Sequence, residues 1–244
     1  MKAKGLGGKI TLQVLEGTAG RINIFAGPLG SGKTTVAVNV ACYLARQRNR
    51  ARKPATDAVL LVDLDLINPF LRSRVLREEL QKRGVTVICP PKELAQGDLP
   101  ALPAAVKGAL AANRPVVFDV GGDGIGATVL GAYRPYLPAG EYRFFFVVNT
   151  RRPFMATAAE IGAAVQEVAA AARLDVDYLV NNTHLGPDTS AAVVLEGLSV
   201  VREASAQRGI PVAFTAVAAH LAAAVGGVAG RVLPLEIFLR LPWT

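Results

Sequence analysis

The chain has 244 residues, a formal net charge of +8, 51% hydrophobic residues and 19% charged residues. This length suits one large α/β domain, or at most two small ones, and the composition excludes a disordered chain. The positive charge permits contact with nucleic acid, an anionic membrane or an acidic protein without deciding among them, and a merely basic surface is the simplest interpretation.

The cysteines and the apolar runs indicate the compartment. Cys42 and Cys89 lie far apart in sequence and are interpreted as small apolar residues in a reducing environment. No apolar signal segment follows the N-terminal residues, and the weakly polar run 211–230 divides into a strand and a small-residue helix. We therefore expect a cytoplasmic protein without a membrane span.

Taken in order, the chain alternates strands with helices. Residues 1–20 are predicted to form an N-terminal edge strand or arm, and residues 21–244 a single domain. The predicted strands are 21–26, 58–62, 85–89, 115–118, 143–148, 177–180 and 210–214, and the predicted helices are 35–45, 70–82, 99–112, 157–172 and 189–207. The last two helices carry boundary signals, a capping box at Thr157 and Glu160 and a terminal Gly209. This order predicts an α/β fold with a doubly wound, mostly parallel sheet of about seven strands and helices on both faces, in three α/β/α layers.

A glycine-rich segment joins the first strand to the first helix. It matches G-x-x-x-x-G-K-[ST] at every position, with Gly27, Pro28, Leu29, Gly30, Ser31, Gly32, Lys33 and Thr34. The glycines allow several backbone N–H groups to approach phosphate oxygens, and the following helix N-terminus favours an anion. The pattern predicts that Lys33 reaches the β- and γ-phosphates and that the Thr34 hydroxyl is a ligand of Mg²⁺.

Acidic residues follow two of the strands. Asp63 and Asp65 come after the strand ending at residue 62, and Asp119 follows strand 115–118, just before a glycine-rich turn. Ligands of open α/β sheets collect at the carboxyl ends of the strands, so these carboxylates are candidates to hold Mg²⁺ and to orient or deprotonate an attacking water. Capping of the following helix could explain one carboxylate of the first pair.

In these motifs the chain resembles the MinD/ParA/CobQ class of P-loop ATPases, the SIMIBI class that also contains the nitrogenase iron protein. The motifs are 27–35, 63–65, 119–123 and 149–154, in that order along residues 21–220. The resemblance implies a P-loop NTPase fold with ATP or ADP and Mg²⁺ as ligands. It implies that Thr35 contacts the α-phosphate, that Asp65 positions the hydrolytic water and that Asp119 supports Mg²⁺. It also implies that Asn181 and Asn182 form an adenine site, and no Asn-Lys-x-Asp guanine motif occurs.

Two positions depart from that class. Pro28 stands where many members have a lysine that reaches the nucleotide of a dimer partner, so another cation would be needed. The candidates for it are Arg72, Arg74, Arg151 and Arg152. Gly126 stands where the iron protein has its cluster cysteine, so we expect no iron–sulfur cluster.

The leading hypothesis is a Mg-ATP-dependent switch with ATPase activity, with Lys33, Asp65 and Asp63 as catalytic residues and Thr34, Asp63 and Asp119 at the metal. A nucleotide-dependent homodimer and a metalloenzyme client in cofactor maturation are expected as partners. The alternatives are a DNA-positioning ATPase that uses the basic runs 46–53 and 72–83, an ATP-dependent ligase, and a nucleotide sensor with little turnover.

Overall fold

The structure is a computed structural model that describes residues 14–51, 58–65, 74–89, 104–111, 114–122 and 124–238. Within these ranges, eight strands form one sheet in the order β3-β2-β4-β1-β5-β6-β7-β8, and every pairing is parallel. The strands are β1 (Ile22–Ala26), β2 (Val59–Leu64), β3 (Val85–Ile88), β4 (Val116–Val120), β5 (Tyr142–Val148), β6 (Tyr178–Asn181), β7 (Val212–Ala218) and β8 (Val232–Leu235). The predicted α/β fold is therefore confirmed, with one strand more than expected.

Seven α-helices connect the strands in the described part of the chain. They are α1 (Lys33–Arg50), α2 (Arg74–Lys82), α3 (Ala104–Ala111), α4 (Gly124–Tyr133), α5 (Ala158–Ala172), α6 (Ala191–Arg208) and α7 (Ala222–Ala229). None of these helices combines the length and the apolar character that a membrane span requires.

The helices cover the sheet on both sides, because successive side chains of a strand point to opposite faces. Phe25, Val117 and Phe145 lie in the core beneath α1 and α2. Ile24, Phe118 and the neighbours of Phe145 lie in the core beneath α3 to α6. The rings of Phe25 and Phe145 stack with their centroids 4.8 Å apart, which anchors the central strands β1 and β5 to each other. This arrangement is the predicted three-layer α/β/α fold.

Two elements were not predicted. β8 contains Pro234, which removes a backbone donor. Among the described strands β8 pairs only with β7, so it tolerates a proline as an edge strand. α4 contains Gly126 and Gly131, which suggest a loop in the sequence. A Cβ on Gly131 would lie 2.9 Å from the Ala171 carbonyl oxygen, so this glycine permits close packing of α4 on α5.

The boundary signals of the later helices are confirmed. The Thr157 hydroxyl accepts a hydrogen bond from the Glu160 N–H, and the Glu160 carboxylate accepts one from the Thr157 N–H. Gly209 ends α6 in the left-handed conformation. Of the predicted N-terminal arm, residues 1–13 lie outside the described ranges, and Val14 and Leu15 are buried in a turn against the core beneath α1.

Candidate functional site

The phosphate loop, residues 27–34, lies between the end of β1 and the first turn of α1, as predicted. Gly30 and Gly32 adopt φ angles of 77° and 78°, which favour glycine. A Cβ on Gly27 would lie 2.4 Å from the Val147 carbonyl oxygen, so this position also requires glycine. Gly32 caps α1 without a side-chain hydrogen bond, so no side chain of the cap occupies the N–H groups of the first turn. These groups are suited to an anion.

Side chains from the ends of β5 and β6 fix the loop from outside. The Asn182 amide donates to the Ser31 carbonyl oxygen at 2.7 Å, and the Asn149 amide donates to the Gly30 carbonyl oxygen at 3.3 Å. The Arg152 guanidinium donates to the same oxygen of Gly30 at 3.1 Å. The loop conformation therefore depends on residues more than a hundred positions away in sequence.

The acidic strand ends lie beside the loop. Asp63 of β2 and Asp119 of β4 are direct neighbours in the parallel register, and both are buried. One Asp63 carboxylate oxygen accepts the Asp65 N–H at 2.9 Å, and the Cys89 thiol donates to the other at 3.9 Å. The Lys33 ammonium lies 3.8 Å from an Asp65 carboxylate oxygen, with each side chain 6% exposed. The loop lysine and the predicted water-positioning carboxylate thus form a buried ion pair.

Asp119 is the most perturbed carboxylate of the site. Burial raises its pKa to about 7, and the charges of Asp63 and Asp65 add to the rise, while Lys33 and a hydrogen bond with Thr34 lower it. Its Oδ1 atom is buried without a hydrogen-bond partner among the described residues. A carboxylate in this state favours a nearby cation, since positive charge restores its ionised form.

The oxygen donors at this position fit Mg²⁺. The Thr34 hydroxyl and the carboxylates of Asp63 and Asp119 are the hard ligands that this ion prefers. Within the described residues, no group of three or more His, Cys, Asp or Glu side chains could hold a metal ion alone.

The turn after β4 packs directly on the phosphate loop. A Cβ on Gly122 would lie 2.8 Å from the Leu29 backbone nitrogen and 3.0 Å from the Lys33 ammonium. This close approach gives position 122 a steric requirement for glycine. Asp123, the next residue of the motif, lies outside the described residues.

The two asparagines of the predicted adenine site differ in position. Asn181 is fully buried: its amide donates to the Val194 carbonyl oxygen at 3.2 Å, and its oxygen accepts hydrogen bonds from Thr183. Asn182 is the one that contacts the phosphate loop. Thr35 lies in the first turn of α1. An adenine contact of either asparagine stays a prediction.

The predicted trans-acting arginines have different surroundings. Arg151 pairs with Glu196 on α6, and Arg152 is bound to the loop. Arg72 and the side chain of Arg74 lie outside the described residues. Three neighbours of the site were not predicted from the sequence: Asn149, which contacts the loop, Cys89, whose thiol lies beside Asp63, and His184, which lies beside Gly32. Asn149 and His184 share one signal, a polar residue at the carboxyl end of a buried strand.

Strand, phosphate loop and helix, with acidic ends on the neighbouring strands, define the P-loop NTPase fold. No protein-family model matches the sequence, and no curated protein matches it significantly. Among solved structures, a nucleotide-binding protein from Archaeoglobus fulgidus in complex with ADP is similar, with 16% identity, coverage of 84% of both chains and a TM-score of 0.44. The cell division protein FtsY from Thermotoga maritima has 19% identity, with 85% of this chain and 68% of that chain covered and a TM-score of 0.49. The signal recognition particle receptor FtsY from Elizabethkingia anophelis in complex with GDP has 18% identity, with 85% and 63% covered and a TM-score of 0.47.

Proposed function

We propose that this protein binds Mg-ATP at the phosphate loop and hydrolyses it, changing conformation between the ATP and ADP states. One observation carries the proposal: Lys33 lies beside the acidic carboxyl ends of β2 and β4. It belongs to a glycine-rich loop that leads directly into the N-terminus of α1. A buried ammonium, backbone N–H groups at a helix N-terminus and adjacent carboxylates are the groups that phosphoryl transfer requires. The lack of an Asn-Lys-x-Asp sequence favours ATP over GTP.

Each residue has a role in this proposal. Lys33 exchanges its ion pair with Asp65 for the terminal phosphates, which releases the Asp65 carboxylate to orient a water molecule. Thr34, Asp63 and Asp119 hold Mg²⁺, which neutralises phosphate charge when bound. The Asp63 carboxylate also accepts a hydrogen bond from the Asp65 backbone N–H, which holds Asp65 in position. Cys89 supports the orientation of Asp63.

The finer assignment extends the same proposal. We place the protein among the MinD/ParA/CobQ-type ATPases of the SIMIBI class, as a cytoplasmic switch in the maturation of a metalloenzyme, with association of two copies in the ATP state. The motif order supports this type. Leu29, in the loop, and Phe154, two residues after the loop-bound Arg152, are 71% and 80% exposed, which supports a partner surface at the site. Pro28 agrees with slow hydrolysis in the absence of a partner.

Calorimetric titration with Mg-ATP tests the binding step. Lys33→Ala is expected to weaken binding by about 10-fold or more, since hydrogen bonds to charged groups contribute roughly 1.5–3 kcal/mol. Lys82→Ala, at an exposed lysine on α2, is the matched control and should bind as the wild type does. Because Lys33→Ala leaves Asp65 buried without its lysine, circular dichroism checks folding, and Lys33→Gln replaces it if it is unfolded. Equal affinities of the wild type and the lysine variant would reject the proposal.

Phosphate release by the same proteins tests the catalytic step. Asp65→Asn is expected to retain Mg-ATP binding and to lose most of the single-turnover hydrolysis rate, since a carboxamide cannot accept the proton of water. The exposed Asp188→Asn serves as the matched control. An unchanged rate in Asp65→Asn would remove Asp65 from catalysis while leaving nucleotide binding intact.

A further inference from the structure

Arg152 lies directly against the phosphate loop. Its Nε–H donates to the Gly30 carbonyl oxygen at 3.1 Å. A Cβ on Gly30 would lie 2.5 Å from the Nε atom and 2.8 Å from the Cζ atom of this arginine, so the guanidinium packs on the bare Gly30 backbone. Because a guanidinium does not lose its proton in proteins, a permanent positive charge touches the middle of the loop.

The backbone around Arg152 is held by its own hydrogen bonds. The Arg152 N–H donates to the Asn149 carbonyl oxygen at 3.1 Å, and the Arg152 carbonyl accepts the Met155 N–H at 3.2 Å. Two consecutive turns therefore meet at this residue, and Pro153 restricts the backbone of the second. A cation that is already positioned loses little conformational entropy when an anion binds beside it.

No carboxylate of the described residues neutralises this charge. The neighbouring Arg151 pairs with Glu196, whereas Arg152 has no ion pair in the described part of the chain. Burial lowers the pKa of His184, and the Arg152 charge lowers it further. The His184 Nε2 atom lies 3.4 Å from the point where a Cβ on Gly32 would stand. The positive potential of Arg152 therefore extends along the loop.

The described groups around the loop include more acids than bases. Asp63, Asp65 and Asp119 are buried there together with one ammonium, that of Lys33. These carboxylates oppose the entry of a phosphate chain, which is itself a polyanion. A phosphate bound by the N–H groups of the loop lies about 3 Å from the backbone, so it falls within roughly 10 Å of Arg152, the Debye length at 0.1 M salt.

We propose that Arg152 acts in cis: its guanidinium contributes positive charge to the binding of the phosphates held by the loop of its own chain. The inference rests on the proposed nucleotide binding and adds a residue to that site. It differs from the trans-acting role predicted from the sequence, which needs a second copy of the chain.

Two ligands and two substitutions separate this charge from the hydrogen bond to Gly30. Arg152→Gln is expected to weaken the binding of Mg-ATP and of magnesium tripolyphosphate by the same factor, about 5-fold, the upper end of what an exposed ion pair contributes. Arg152→Lys keeps the charge and should retain most of the wild-type affinity for both ligands. Arg50→Gln is the matched control, because Arg50 is exposed at the other end of α1, about 25 Å along the helix from the loop, and it should change neither affinity.

Protein concentration and salt concentration give two further readouts by equilibrium dialysis. The ratio of wild-type to Arg152→Gln affinity should be the same in dilute and in concentrated protein, since a residue acting in cis needs no second copy. The same ratio should approach one as the salt concentration rises, because salt screens an exposed charge and leaves a merely structural contact unaffected.

Each result bears on a defined statement. A ratio that approaches one on dilution would show that the arginine acts on another copy, and would overturn the inference. Equal affinities of the wild type and Arg152→Gln, equal losses in the Gln and Lys variants, a ratio that salt does not change, or a loss confined to Mg-ATP would also overturn it. Failure of the wild type to bind Mg-ATP would instead reject the proposed function.

Discussion

Among single residues, Asp119 links the protonation of the site to the stability of the protein. Its side chain is 1% exposed, and its neighbours include two other carboxylates. Its pKa is about 7 in the folded protein against an ordinary value of 3.8. Between these values the folded protein binds a proton that the unfolded chain has released, so the stability contributed by Asp119 falls as the pH rises from about 4 to about 7.

Asp119→Asn is therefore expected to stabilise the nucleotide-free protein at pH 8 by a few kcal/mol, because the amide has no charge to bury. The gain should disappear below about pH 3, where the carboxyl of the wild type is protonated in both states. Urea unfolding of both proteins in the presence of a chelator, at several pH values, measures the difference. Asp175→Asn, at an exposed position after α5, is the matched control. A variant no more stable than the wild type at pH 8 would contradict the prediction.

Some residues of the site could be predicted from the sequence and others could not. Lys33, Asp63 and Asp119 could be predicted because a motif or a buried strand fixes their position in the sheet. The choice between Asn181 and Asn182 could not, since it depends on which way each side chain points. The β6–β7 pairing shifts register between Leu179 and Val180, which interrupts the simple alternation just before these residues.

At the level of elements, the helix ends that depend on neighbouring residues in the sequence were predicted correctly. The capping box of α5 and the terminal glycine of α6 depend on neighbouring residues, and both are present. A glycine can break a helix, or it can permit close packing inside one, and the sequence alone does not show which of the two applies. In α4 the glycine permits close packing, and Gly122 likewise permits close packing of its turn against the phosphate loop.

The contact between this turn and the loop can be tested by adding one methyl group. Gly122→Ala places a Cβ 2.8 Å from the Leu29 backbone nitrogen, so the turn or the loop must move. We expect Mg-ATP affinity to fall by about 10-fold or more, since N–H groups and Lys33 must be preorganised to hold phosphates. Calorimetric titration measures this effect.

Gly108→Ala is the matched control for this substitution. Gly108 lies exposed in α3, and nothing stands within 4 Å of its added Cβ. It should leave the affinity unchanged and raise stability by up to about 1 kcal/mol through helix propensity. Equal Mg-ATP affinities of the two alanine variants would mean that the turn does not support the loop.

Across the whole molecule, the segment after β8 is tied to the helix that begins at the phosphate loop. The Asn39 amide on α1 donates to the Glu236 carbonyl oxygen at 2.9 Å, and the Asn39 side-chain oxygen accepts the Glu236 N–H at 2.8 Å. Arg46 on α1 and Arg83 just after α2 bind the Glu236 carboxylate, and Arg83 lies 4.6 Å from the centre of the Phe238 ring. This connection links β8, α1 and the end of α2 across one face of the sheet.

The relative strength of these contacts follows from their exposure. The Glu236 side chain is 43% exposed, so each of its ion pairs contributes at most about 1 kcal/mol. Asn39 is 7% exposed and satisfies two backbone groups of Glu236.

Asn39→Ala leaves both groups without this partner, so we expect a loss of roughly 1–3 kcal/mol in the free energy of unfolding. Urea denaturation, with the slope used to check the two-state model, measures it. Asn49→Ala, at an exposed position of the same helix, should cost less than about 0.5 kcal/mol. Equal stabilities of the two variants would show that the hydrogen bonds of Asn39 to Glu236 do not stabilise the contact between α1 and the segment after β8.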